Sequence, residues 1–178
     1  MNLDLFKELE DEKQINKKLA VQLEKEINTK IGQLVQSSTN DFERFFKERD
    51  FKVQKEPRCV TAKYGSAKVS LQSQPEHGYM GYYFIFDLTL GPDKYGVSLN
   101  PKIDNHVPSS HISSDTKGDK ISNQIQLLKE SNRRAEDRIK NFPSEEWYLE
   151  LLKQNKRLYK FNTMYELLTF ITTTEQKL

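Results

Sequence analysis

The chain has 178 residues, with Lys+Arg 28 against Asp+Glu 26 and a formal charge of +2. That balance excludes a strongly basic nucleic-acid binder. The single cysteine, Cys59, excludes a disulfide framework or a cysteine-rich zinc site, and no apolar run approaches the roughly 18 residues of a membrane span. The apolar share is low at 35%, and the mean hydropathy is −0.80. Even so, 10 Phe, 8 Tyr and 1 Trp each bury a large area, so a folded core is expected rather than disorder. The charged opening, MNLDLFKELEDEK, has no apolar signal core. The expectation is a soluble, cytoplasmic protein without membrane contact or cofactor.

Residues 1–36 read as a long amphipathic helix. Leu5, Leu9, Ile15, Leu19, Leu23, Ile27, Ile31 and Val35 form one apolar seam among Lys, Glu, Asp, Gln and Asn. From Ile15 the step is four residues, which drifts about 40° per step around the helix. The heptad is imperfect, because Glu12, Asn16 and Glu26 fall where apolar residues belong. Such a polar helix is marginal alone, so its seam needs a partner. Ser37–Asn40 reads as a break, with Thr39 or Asn40 capping a second helix that carries Phe42, Phe45 and Phe46 on one face.

Residues 51–100 switch to a period of two. Short runs around Val53, Val60–Tyr64, Ala67–Leu71, Tyr82–Leu90 and Tyr95–Leu99 alternate apolar with polar residues. Tight links at Tyr64-Gly65-Ser66 and Gly91-Pro92-Asp93-Lys94, the latter with Pro92 at the second position of a type I turn, predict antiparallel neighbours. The polar alternate face predicts that helices cover only one side. Residues 101–120 are rich in Ser, Pro and polar groups and read as a long mobile loop.

Residues 121–142 form a better heptad: Ile121, Ile125, Leu128, Asn132, Ala135, Ile139 and Phe142. Asn132 stands at an a-type position, where a buried asparagine sets register; the alternative is that the stripe packs on the sheet with Asn132 at its edge. Pro143-Ser144-Glu145-Glu146 looks like the start of another helix, bearing Trp147, Leu151 and Leu152. Tyr159–Phe161 is too short to assign, an added edge strand being one reading. Asn162 or Thr163 caps a last helix with Met164, Leu167, Leu168 and Ile171.

The fold class expected is α+β: residues 1–36 as a helix, then an α+β domain over 37–178. That domain has an antiparallel meander of about four or five strands at 51–100, with helices on one face and a helical part at 121–175. The leading functional expectation is a non-catalytic interaction or assembly module, a dimer or a subunit of a larger complex. Its interface residues would be Leu19, Leu23, Ile27, Ile31, Ile125, Leu128, Asn132 and Ile139. The alternative is a nucleic-acid accessory role through Lys52, Lys55, Arg58, Lys153, Lys156, Arg157 and Lys160, whose neighbouring aromatics offer stacking surfaces. A third is a metal-dependent hydrolase or nuclease around Asp87, an acid in mid-strand. The chain lacks the Glu-x-Lys that such a nuclease places on the next strand. His77, His106 and His111 lie in polar loops without metal-ligand spacing, and Cys59 reads as a strand residue. No catalytic residue and no metal ligand is assigned.

Overall fold

The structure is a computed structural model that describes residues 3–74, 84–102, 120–153 and 156–174. His77, His106, His111 and nearly all of the 101–120 loop lie outside the described residues. The class is α+β: a long N-terminal helix, an antiparallel sheet and two further helices.

Helix α1 runs from Leu3 to Lys47 without interruption. The expected break at Ser37–Asn40 is absent. No Pro or Gly stands there, Ser38 is buried, and the side chain of Gln36 donates to Asn40 Oδ1 at 3.0 Å. The polar residues are therefore absorbed within the helix. The helix ends at Lys47, and residues 48–50 form the turn that closes it. Asp50 adopts φ 62°, and Phe51 N–H donates to Phe46 O at 3.1 Å while Asp50 N–H donates to Lys47 O at 3.1 Å. The Phe46 and Phe51 rings then close the turn at 5.1 Å between centroids. This is a Schellman cap with aspartate in the left-handed position.

The sheet has seven strands in the order β1 to β7, each antiparallel to the next. They are β1 Lys52–Glu56, β2 Cys59–Tyr64, β3 Ala67–Ser73, β4 Phe84–Leu90, β5 Asp93–Pro101, β6 Trp147–Lys153 and β7 Lys156–Phe161. Four or five strands was thus an undercount. The additional pair is the β6–β7 hairpin. The segment expected to be a helix after Ser144 is β6. Ser144 Oγ bonds back to Asn141 O at 2.7 Å instead of capping forward, and Phe142–Ser144 is only a 3-10 turn. Trp147, Leu149 and Leu151 then alternate along the strand and pair with Pro101, Leu99 and Val97 of β5. Tyr159–Phe161 does lie in an edge strand. In the β4–β5 hairpin Leu90 pairs with Asp93, so the turn residues are Gly91 and Pro92. Gly91 takes φ 56° at the second position, where Pro92 was expected.

Helix α2 spans Lys120–Asn141 and α3 spans Met164–Thr174. Thr163 caps α3: its Oγ1 accepts from Glu166 N–H at 3.1 Å, while the Glu166 carboxylate accepts from Asn162 N–H at 3.0 Å.

The chain divides into two compact units. One comprises residues 3–29 and 120–145, and the other residues 30–102 and 146–174. The core of the sheet unit lies on one face of the strands. There Val60, Leu71, Phe86, Leu88, Val97, Leu99, Leu149 and Leu151 are buried, together with Phe42, Phe45 and Phe46 of α1 and Met164, Leu167, Leu168 and Ile171 of α3. Burial of each such side chain stabilises by about 1.5–3 kcal/mol. The other face is less solvated than its polar alternation implied. Ser98, Asn100, Glu150 and Leu152 are buried on it, and Asn100 donates to Ser98 Oγ at 2.9 Å.

Candidate functional site

The helix pair is the unit formed by the first part of α1 and α2. Glu8 meets Lys129 at 2.6 Å, and further along, Glu12 and Asn16 both meet Asn132. The contacts climb together, so the two helices run in the same direction. Asn132 is buried and well supplied with partners. Its amide donates to the Glu12 carboxylate at 2.8 Å and to Glu12 O at 3.1 Å, and its Oδ1 accepts from Asn16 at 2.8 Å. A buried amide needs such partners, because each unmet polar atom costs about 1–3 kcal/mol. The glutamate at position 8 also holds the Lys129 ammonium above its ordinary range, through its hydrogen bond first and its charge second.

Of the eight seam residues expected at an interface, Ile31, Ile125 and Asn132 are buried; Leu19, Leu23, Ile27, Leu128 and Ile139 are half-buried. Ile31 belongs to the sheet unit and the other seven to the helix pair. The heptad reading of α2 thus found the buried asparagine. It missed Glu12 and Asn16 as its partners, although both were already marked as polar flaws in the α1 seam.

The pair also displays large apolar side chains. Leu3 is 70% exposed, Val21 61% and Leu127 47%, and Phe6 and Ile15 are exposed as well. Only Tyr64 and Tyr159 join them among the exposed large hydrophobics of the described residues. Charge is shared unevenly. Residues 3–29 carry five lysines against seven acids, and α2 carries six Lys/Arg against three acids.

The basic residues form two groups rather than one. Lys52, Lys55 and Arg58 belong to the β1–β2 hairpin, whereas Lys153, Lys156, Arg157 and Lys160 belong to β6–β7. These are the two edges of the sheet, six strand spacings apart, or roughly 29 Å measured along it. Several of these cations are already engaged. Lys55 is paired with Glu43, Lys153 lies 5.2 Å from the Tyr95 ring centre, and Lys160 lies 4.3 Å from that of Tyr148. The Arg157 side chain lies outside the described residues. Lysines on edge strands also discourage strand-to-strand aggregation.

Asp87 is exposed and its carboxylate accepts from the side chain of Gln74. Its register partners are Gln72 and Gly96. Among the described residues no group of three His, Cys, Asp or Glu is placed to hold a metal ion. Cys59 is half-buried, with Sγ 3.7 Å from Thr61 Oγ1. No described helix is long and apolar enough to cross a membrane. Comparison with protein-family models, curated proteins and solved structures finds no match.

Proposed function

We propose that this protein is a non-catalytic assembly module whose helix pair associates with a second copy of the same pair. One observation carries the reading: among the described residues, the exposed large aliphatic side chains and Phe6 all fall on residues 3–29 and α2, while the only exposed large hydrophobics of the sheet unit are Tyr64 and Tyr159. The two described helices of this unit leave Leu19, Leu23, Leu128 and Ile139 half-buried, as an incomplete bundle does. The acid-rich first part of α1 and the base-rich α2 make two copies electrostatically complementary, which favours self-association over binding to a uniformly charged partner. Closed two-fold pairing is the commonest way such a patch is covered.

Light scattering coupled to size-exclusion chromatography tests this near physiological salt. The expected mass is twice 20.9 kDa. A monomer at tens of micromolar protein removes the proposal.

A further inference from the structure

We propose that the cleft between α1 and the β1–β2 hairpin binds a small organic carboxylate with a compact apolar body. The cleft has a volume of about 180 Å³ and lies wholly within the sheet unit. Its floor is Val60, Leu71 and Phe86, all buried, and half-buried Val35 of α1 forms a wall. Register explains the grouping. Lys55 pairs with Val60, Val60 with Leu71, and Ser73 with Phe86, so these residues share one face of the pleat.

Arg58 stands at the mouth, in the turn of the hairpin. Its backbone is anchored: Arg58 O accepts from Ser73 N–H at 2.9 Å and from Ser73 Oγ at 3.3 Å. Its guanidinium makes no hydrogen bond or ion pair among the described residues. Lys55, the other cation of the rim, is by contrast committed to Glu43 and to Asn40 at 3.4 Å. Glu56 is the one acid among the described residues that line the cleft, and it pairs in register with Cys59, so the two alternate along the pleat with Lys55 and Val60. The combination is an apolar floor beneath a planar cation that no described residue engages. A guanidinium takes a carboxylate through two parallel N–H···O bonds. The volume is below the range of drug-sized pockets, so the ligand has one ring or a short branched chain.

Benzoate is a suitable probe, with benzamide as its uncharged counterpart. The full chain, labelled at valine and leucine methyls, is titrated by NMR. The expected result is saturable shifts at Val35, Val60 and Leu71 with a dissociation constant of about a millimolar. Benzamide should bind roughly five- to tenfold more weakly. Arg58→Gln should lower benzoate affinity to that of benzamide, while Lys63→Gln, which removes an exposed charge outside the cleft, should not. Val35→Phe fills the cleft and should abolish the shifts with Arg58 intact. Absence of saturable shifts at these methyls, or equal benzoate affinity in Arg58→Gln and the parent, overturns the proposal. The spectrum of each variant reports its fold in the same experiment.

Discussion

Asn132 and Asn16 share a side-chain hydrogen bond of 2.8 Å inside the helix pair, and Asn132 also holds Glu12 through two more. The polar irregularities of the two seams thus fall opposite each other. Asn132→Ala removes all three bonds and deprives Glu12 and Asn16 of this partner, while Asn16 still reaches Ser131 Oγ at 3.4 Å. We expect it to destabilise the chain by about 1–2 kcal/mol, read from the midpoint of urea unfolding. An unchanged midpoint would mean that water satisfies the site just as well.

That opposition shows which parts of the fold were legible. The heptad of α2 needs only a helical period, so Asn132 stood out as a core position. Its partners lie more than a hundred residues away, and nothing local distinguishes Glu12 from a solvated glutamate. Strands β1 to β5 were readable because their alternation and turns are local. Strand β6 was not. Leu152 beside Leu151 blurs the period of two, Pro143 and Ser144 imitate a helix start, and the pairing with β5 crosses the whole α2 insertion. The continuity of α1 was hidden for the opposite reason. Ser37–Asn40 has a helix-breaking composition, but burial of Ser38 and of the three phenylalanines that follow overrides it. The Arg58 cleft depends on α1 lying beside the β1–β2 hairpin, which no sequence period encodes.

Glu43 ties the end of α1 to β1. Its carboxyl is held below the usual glutamate range, chiefly by its hydrogen bond with Lys47 and then by Lys55. A lowered folded-state pKa stabilises fully above the unfolded glutamate pKa, and that stabilisation is lost as pH falls through the folded value. The parent should therefore exceed Glu43→Gln by about 0.5 kcal/mol at neutral pH, a modest figure because both lysines are well exposed. The difference should vanish at strongly acidic pH. Urea unfolding of both proteins across an acid series gives the comparison, and a gap that widens on acidification would contradict this role.

Asp50 closes α1 at φ 62°, where a side chain is strained and a negative charge faces the helix C-terminal dipole. Asp50→Gly relieves both while keeping the two backbone bonds of the cap. The expected gain is about 0.5–1 kcal/mol, set against the extra freedom of glycine in the unfolded chain. Thermal unfolding should show a higher midpoint. A lower one would mean that the aspartate side chain contributes more to the turn than its backbone strain takes away.

Two pairs of substitutions separate association from the folding of the helix pair itself. Val21 and Leu127 are exposed, so Val21→Lys with Leu127→Lys removes apolar surface that the single chain does not enclose. This variant should lose its dimer mass in light scattering and keep its helical circular dichroism. Leu23 and Ile27 are half-buried in the seam of α1. Leu23→Glu with Ile27→Glu places charges where apolar contact is made within the chain. It should abolish the dimer and also reduce helix content, because residues 3–29 alone are too polar to stay helical without the seam. If the lysine pair leaves the mass at twice 20.9 kDa while the glutamate pair yields a folded monomer, the contact between copies runs through the seam and not through the exposed side chains.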